Sequence, residues 1–414
     1  MSVSASFPLI SSASELARCG PYELLVRIGR GGMASVYLAR RTDAADGEGP
    51  DGPQLFALKI LHPELAEQAE YVDMLMDEAK IATRLAHTHV VDTIEIGRDG
   101  DLYYLVMEYV EGVALDRLLR RSPEHRPAEL IVPLAIDALL GLHAAHRLKD
   151  PLGRPLELVH RDVTPGNLLV GVDGLGRITD FGVAKARARI TKTNPGVVKG
   201  KAGYIAPEVI LGRDVDGRAD VFSMGVLLYN ALTGMTLFDR GDLASSLTSL
   251  LREDIPPPSS VGLMPSPLFD APILTALARD PAHRHESAAE MADALADALL
   301  LLPEPGDRAA IAAWVRESYG ETLDQRRAYA KRGRQDPWNA DDAEPLSTSA
   351  MVRKDPTGRV VSAIPDETPE ARVVVEPAPP PSKLKLALWI SLAFFALVAA
   401  GAIGAIVATA LGTG

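Results

Sequence analysis

The sequence predicts an α+β protein in which a small sheet-rich lobe precedes a larger helical lobe. The first observation is a set of strand-like runs before Val110, rich in Val, Tyr, Phe and Leu: "YELLVRIG", "ASVYLARR", "LFALKIL" and "LYYLVMEYV". The second is the change to helical spacing after it, in "AELIVPLAIDALLGLHAAHRL", "ADVFSMGVLLYNALTG" and "SAAEMADALADALLLL". The crevice between two such lobes is the expected ligand site.

Composition narrows the class of protein. The chain has 414 residues, of which 47% are hydrophobic and 24% charged, so a packed core is expected. Lys and Arg total 43 against 55 Asp and Glu, and a net charge of -12 argues against a nucleic-acid partner. A single cysteine, Cys19, forms no internal disulfide, which favours a reducing compartment and an inert thiol.

Glycines stand between the first two strand-like runs, in "IGRGGMASVYLAR". Gly29, Gly31 and Gly32 lack side chains, so backbone N–H groups there can approach a ligand closely. A dinucleotide-binding fold would need a helix directly after the glycines, but "SVYLARR" is typical of a strand. A plain glycine hairpin is the alternative interpretation.

Two charged residues follow in the same lobe. Lys59 lies in the strand-like run "FALKIL", and Glu78 lies in the one helical run of this region, "EYVDMLMDEAKIATRL". A strand ammonium near phosphates needs a carboxylate to fix its position. A solvated edge lysine is the alternative, and neither residue is diagnostic alone.

Polar residues interrupt two apolar runs of the helical half. "LVHRDVTPGNLLV" contains Asp162 and Asn167, and "RITDFGVA" contains Asp180. Carboxylate and amide oxygens are hard ligands of the kind that divalent metals prefer. The pattern therefore predicts proton handling beside a metal site, rather than surface charge.

Taken in order, these residues and motifs resemble the eukaryotic-like Ser/Thr protein kinases of bacteria, of the single-span membrane type. The glycine loop, Lys59 and Glu78 are followed by "HRD" at 160–162 with Asn167, "DFG" at 180–182 and "APE" at 206–208. Asp220 and Arg284 extend the match, and in the family the arginine pairs with the glutamate of "APE". The resemblance implies a bilobal kinase fold over 22–302.

The resemblance also implies a role for each matched position. Asp162 would orient the substrate hydroxyl and accept its proton, Lys59 held by Glu78 would bind the α and β phosphates of ATP, and Asn167 with Asp180 would coordinate Mg²⁺, or Mn²⁺ in its place. The hinge from Glu108 to Val110 would hydrogen-bond the adenine, with Met107 behind it. The remaining ATP-binding positions are Ile28, Gly29, Arg30, Gly31, Gly32, Met33, Ala34, Ser35, Val36, Ala57 and Leu169.

The chain departs from the family pattern beside the catalytic aspartate. Ser/Thr kinases usually carry a lysine where Thr164 stands, and a threonine where Lys201 stands in "VKGKAGYIAPE". One hypothesis is that Lys201 returns the missing ammonium from the other wall of the site, because lysine is a flexible point charge. The alternative is that Lys201 faces solvent and catalysis is impaired. The third loop glycine is Ala34, a small change.

Two functions from different classes therefore remain open. Joint retention of Lys59, Glu78, Asp162, Asn167 and Asp180 favours an active Ser/Thr kinase with protein substrates. The alternative is a pseudokinase that binds ATP and recruits partners to the membrane. Tyrosine specificity is disfavoured, because no arginine or lysine stands between Asp162 and Asn167.

A regulatory segment is expected between "DFG" and "APE". Thr191 and Thr193 in "RITKTNPG" are the predicted phosphosites, and the family commonly autophosphorylates such paired threonines. Arg161, beside the catalytic aspartate, would bind the phosphate and order the loop.

Segments outside the kinase region differ in composition. We expect an N-terminal extension over 1–21 without a secretory signal, a helical extension over 303–332, and a disordered linker rich in Pro and acids over 333–385. The uncharged run 386–411, "LALWISLAFFALVAAGAIGAIVATAL", predicts a transmembrane helix, since about 1.5 Å per residue crosses a core of roughly 30 Å.

The flanks of that run predict its orientation. Lys383 and Lys385 precede it and "GTG" follows it, so the positive-inside rule places the kinase domain in the cytoplasm at the cell membrane. Small residues in "AAGAIGAIVA", Gly401 with Ala405 and Ala400 with Gly404, are spaced for a close helix contact that would form a homodimer. Generic alanine and glycine content is the alternative.

Overall fold

The computed structural model describes residues 18–42, 48–49, 52–181, 202–332, 353–354 and 360–361. Within these ranges a few side chains are left undescribed, among them that of Glu78. The linker, the transmembrane run, Thr191, Thr193 and Lys201 lie outside the described residues.

A curled antiparallel sheet forms most of the N-terminal lobe. Its strands are β1 (Arg18–Cys19), β2 (Tyr22–Arg30), β3 (Ala34–Arg41), β6 (Leu55–Leu61), β7 (Thr93–Asp99) and β8 (Leu102–Glu108). They lie in the order β1-β2-β3-β6-β8-β7. A short pair, β4 (Glu48–Gly49) with β5 (Gly52–Pro53), precedes β6. Helices α1 (Pro63–Ala66) and α2 (Ala69–Ala82) connect β6 to β7.

Alternation along β6 decides which side chains reach the cleft. Phe56, Leu58 and Ile60 join the apolar cluster on one face of the sheet, whereas Ala57 and Leu61 join the cluster on the other. Because successive side chains of a strand point to opposite faces, Lys59 shares the face of Ala57 and Leu61. The alternation of this central strand therefore places the Lys59 ammonium on the apolar face of the sheet that carries Ala57 and Leu61.

The C-terminal lobe is helical. Its elements are β9 (Gly112–Ala114), α3 (Leu115–Arg121), α4 (Ala128–His146), β10 (Leu168–Gly171), β11 (Gly176–Ile178), α5 (Pro207–Ile210), α6 (Arg218–Thr233), α7 (Leu243–Arg252), α8 (Asp270–Ala276), α9 (Ala288–Leu300) and α10 (Arg308–Arg332). Strands β11, β10 and β9 form a small antiparallel sheet beside the hinge, and β12 (Arg353–Lys354) pairs with β13 (Val360–Val361).

Helices α4 and α6 form the centre of this lobe. Ile131, Leu134 and Leu142 on α4 and nearly every residue of α6 are buried in one apolar cluster. Among the described residues, α4 is also long and apolar enough to span a membrane, but most of it is buried inside the lobe. Its composition is that of a core helix.

Local signals explain where several helices begin and end. Ser287 accepts a hydrogen bond from the N–H of Glu290 at the start of α9, and Asp242 accepts one from Ser245 at the start of α7. Helix α6 ends at Gly234, whose φ of 71° is a left-handed conformation that glycine adopts without strain. These caps satisfy backbone groups at the ends of three helices of the C-terminal lobe.

Candidate active site

The glycine-rich segment forms the hairpin between β2 and β3. Gly29 pairs with Val36 and Arg30 with Ser35, and the N–H of Gly31 donates to the carbonyl of Ala34 at 2.8 Å. All predicted positions from Ile28 to Val36 therefore lie on this one hairpin. Ile28, Met33 and Val36 pack onto the apolar wall of the cleft, so the hairpin lies over it.

The predicted adenine-binding residues meet in one cluster. Ala57 and Met107 are buried there, and Val36, Val110 and Leu169 pack against them. These side chains come from β3, β6, the hinge and β10, which the sheet register brings together: Ala57 faces Met107 across β6 and β8. The result is an apolar slot between the lobes.

Glu108 ends β8 at the start of the hinge. Its N–H donates to the carbonyl of Asp92 at 2.9 Å, and its carboxylate accepts from the N–H of Asp92 at 3.2 Å. Burial raises the pKa of Glu108 above its ordinary value. The reciprocal bonds fix the first hinge residue against Asp92, which directly precedes β7.

An ion pair crosses the cleft. Nζ of Lys59 lies 2.8 Å from Oδ1 of Asp180, and the two side chains are 13% and 27% exposed. Asp180 has a left-handed φ of 61°, a conformation that costs a non-glycine residue about 1–3 kcal/mol and is common at functional sites. Glu78 lies on α2, but its side chain is not described.

Asp162 and Asn167 are held together in the loop before β10. The Nδ2 group of Asn167 donates to the carbonyl of Asp162 at 2.7 Å and to its Oδ2 at 3.1 Å. The N–H of Thr179 donates to the carbonyl of Asn167 at 2.9 Å, which links this loop to the segment carrying Asp180. Both Asp162 and Asn167 are buried.

Asp220 supports that loop from α6. Its carboxylate accepts the backbone N–H groups of His160 and Arg161, both at 2.8 Å, and Nε2 of His146 lies 2.8 Å away. Arg161 has a φ of 63°, so the carboxylate holds a strained turn just before Asp162. Burial opposes ionisation, but the bond with His146 and the backbone N–H of Arg161 keep the pKa of Asp220 below its ordinary value.

A ring and a carbonyl complete the link between the two loops. Nε2 of His160 lies 3.0 Å from the carbonyl oxygen of Thr179, and the ring lies 4.7 Å from that of Phe181. The contacts of Thr179 and Phe181 with His160, and of His146 with Asp220, were not predicted from the sequence. A histidine in the last turn of a predicted helix is a visible signal, but 74 positions separate His146 from Asp220.

The glutamate of "APE" forms a fully buried pair. Glu208 accepts two hydrogen bonds from Arg284, at 2.7 and 2.8 Å, and the side chains are 3% and 0% exposed. The guanidinium also donates to the carbonyls of Arg218 and Ala278, so its other donors are satisfied. Thr164, the departure from the family pattern, is buried and its carbonyl accepts the N–H of Asn167 at 3.0 Å.

The donor set suits a divalent cation bound together with phosphate. Asn167 and Asp180 offer hard oxygen ligands, which Mg²⁺ prefers. Among the described residues no three His, Cys, Asp or Glu side chains gather as a metal site. A Mg²⁺ ion held by Asn167 and Asp180 would complete its coordination with ligand phosphates and water, as Mg²⁺ in nucleotide sites does.

Two lobes, a glycine hairpin over an apolar slot, and a lysine and three polar groups at its mouth define a nucleotide-dependent phosphotransferase site. A family model described as "Protein kinase domain" matches residues 22–319. The chain belongs to the protein kinase family, and the two-lobed fold predicted from its sequence is confirmed.

Several characterised proteins are similar to this region. It is 38% identical over 280 residues to the tyrosine-protein kinase MasK of Myxococcus xanthus, covering 67% of this chain and 42% of that protein. It is 36% identical over 285 residues to the serine/threonine-protein kinase PknL of Mycobacterium tuberculosis, covering 68% and 67%. A crystal structure of the M. tuberculosis PknI kinase domain is 26% identical, with a TM-score of 0.52, covering 70% of this chain and all of that one.

Proposed function

We propose that this chain is a protein kinase that transfers the γ-phosphate of ATP to Ser or Thr hydroxyls of proteins, using Mg²⁺. The observation that supports it is the joint geometry of the cleft: the Lys59–Asp180 pair at 2.8 Å and the Asn167–Asp162 bond at 3.1 Å. Several similar proteins carry serine/threonine-protein kinase names. MasK is named a tyrosine kinase, so acceptor type is an outcome of the test.

The residues divide the chemistry between them. Lys59 would bind the α and β phosphates through its ammonium, and the hairpin from Ile28 to Val36 would cover them and exclude water. Asp162 would accept a hydrogen bond from the acceptor hydroxyl, orient it and take its proton, while Asn167 holds that carboxylate in place. Bound Mg²⁺ would neutralise charge on the phosphates.

A phosphate-transfer assay tests this function. The full chain is incubated with Mg-ATP and a generic protein acceptor, and phosphosites are mapped by mass spectrometry. We expect phosphoserine and phosphothreonine, and a loss of about a hundredfold or more in Asp162→Asn, with unchanged melting temperature. Phosphotyrosine alone would reassign the acceptor. Full activity in Asp162→Asn would reject the assigned base.

A pseudokinase that binds ATP and recruits partners is the second candidate, and Thr164 at the usual lysine position favours it. We propose instead that Lys201 supplies that ammonium. Lys201→Thr and Thr164→Lys should then each lower turnover, and the double variant should recover much of it, because coupling of this kind is expected for residues that share a site. Additive losses would exclude the exchange.

Regulation and location are further parts of the proposal. Autophosphorylation at Thr191 or Thr193 would order the loop through Arg161, and Thr191→Ala with Thr193→Ala should lower activity.

The run 386–411 would anchor the chain in the cell membrane with its kinase domain in the cytoplasm, and a contact through Gly401 and Gly404 would form a homodimer. Deleting 386–411 should release the chain from the membrane fraction, and Gly401→Ile should reduce crosslinked dimer.

A further inference from the structure

Helix α10 touches both lobes along the back of the hinge. At its start, Arg308 contacts the helical lobe, and near its end Ala330 is buried in a cluster with Leu25 and Leu38 of the N-terminal sheet. Tyr109, in the hinge itself, packs against the same cluster. A single helix therefore contacts both lobes, and the relative position of the lobes determines the shape of the cleft.

Two adjacent arginines of α10 bind Glu111 and Gly112, which follow the hinge and form the hinge exit. Arg326, which is only 9% exposed, donates to the carbonyl of Gly112 at 3.1 Å. Arg327 makes two hydrogen bonds to the carboxylate of Glu111, at 2.5 and 3.1 Å. A fork of this kind fixes orientation as well as distance. The backbone leading from the adenine-binding hinge into β9 is thereby held from behind.

The hinge exit has little space to move. A Cβ placed on Gly112 would lie 2.1 Å from the carbonyl oxygen of Val170, so the backbone here lies directly against β10. β10 also carries Leu169, one wall of the adenine slot. Displacement of Glu111 or Gly112 would therefore be transmitted to the slot, because packed interiors do not deform continuously.

The start of α10 is fixed to α4, in the helical lobe. Arg308 binds the carboxylate of Asp137 at 2.5 and 2.6 Å, and Asp137 is 1% exposed. The same carboxylate accepts the N–H of Gly176 at 2.8 Å, and Nε2 of His89 lies 3.5 Å away. The start of α10 is therefore held by the helical lobe, and its end packs on the N-terminal sheet.

We propose that α10 is a brace between the lobes and that Arg326 and Arg327 are positioning residues. They hold the hinge, 108–110, and the residues that follow it, 111–114, in the geometry that binds adenine. The family model ends at residue 319, within α10, so both arginines lie beyond the part of the chain that it matches. The inference rests on the proposed function for the identity of the ligand as ATP.

The test compares charge reversals on one helix in the full chain. Arg327→Glu places a carboxylate against Glu111 and should raise the KM for ATP about threefold to tenfold, with kcat and the acceptor KM little changed. Adding Glu111→Arg restores opposite charges and should return the KM towards wild type. Glu321→Arg is the matched control, because Glu321 is also a charged residue of α10 and its side chain is exposed.

Hydrogen exchange of hinge amides gives a second readout that needs no catalysis. Arg327→Glu should speed exchange over 108–114, the double variant should slow it again, and Glu321→Arg should leave it unchanged. The brace is refuted if Arg327→Glu leaves both readouts at wild-type values, or if Glu321→Arg changes them equally. A wild-type chain that transfers no phosphate would refute the proposed function, and exchange at 108–114 would still decide the brace.

Discussion

Two ion pairs of the same molecule lie in opposite environments. Glu208 and Arg284, inside the helical lobe, have side chains that are 3% and 0% exposed. Lys59 and Asp180, at the cleft, are 13% and 27% exposed, and one partner has a strained backbone. The first pair forms a permanent part of the lobe, whereas the second lies where a ligand can replace one charge with another.

The difference follows from how each pair offsets the cost of leaving water. A buried pair is tolerated when geometry is good and further hydrogen bonds satisfy its remaining groups. Arg284 meets this condition through two carboxylate oxygens and backbone carbonyls. A pair that stays in contact with solvent gains less from its attraction, so breaking it to admit phosphate and metal costs little.

The largest expected effect is on the buried pair. Arg284→Met leaves the Glu208 carboxylate buried without its partner, which should lower the free energy of unfolding by about 3–5 kcal/mol. Urea denaturation followed by circular dichroism measures it. Arg240→Met is the matched control: its pair with Glu253 is 38% and 49% exposed, so its loss should cost under about 1 kcal/mol. Equal losses would remove the distinction between the environments.

Acid should remove the contribution that a second buried charge of the helical lobe, on Asp220, makes to the free energy of unfolding. Since the pKa of Asp220 is held below its ordinary 3.8, its ionised form stabilises the folded state above about that pH. This contribution is lost as pH falls through the lower pKa of the folded state. Wild type should therefore exceed Asp220→Asn in unfolding free energy at pH 6, and the gap should narrow below pH about 4.

Denaturation curves at several pH values measure that gap. Asp101→Asn is the control, because Asp101 is fully exposed and its charge contact with Arg98 is long, at 3.7 Å. The difference between wild type and this control should stay small throughout. A gap for Asp220→Asn that does not depend on pH would mean that its carboxylate acts as a neutral acceptor only.

Local pattern was enough to predict the two lobes and several cleft residues. Strand alternation puts Lys59 on the face of Ala57, and ordered spacing puts Asp162 and Asn167 on one loop. Charge pairs between distant segments outside the family motifs were not predictable, because periodicity gives an apolar face but no partner for a charge. Asp137 with Arg308, and Glu111 with Arg327, are 171 and 216 positions apart.

The smallest expected change in stability is at the cleft, where the change in function should be large. Lys59→Met removes an ammonium from a partly exposed pair and keeps much of the side-chain length, so the free energy of unfolding should fall by less than about 1 kcal/mol. Phosphate transfer should fall about a hundredfold or more, because the lost charge stabilises phosphates in the transition state. Urea denaturation and the transfer assay on one preparation measure both. If Lys59→Met lowered stability as much as Arg284→Met, the cleft pair would be structural, and the contrast between the two environments would fail.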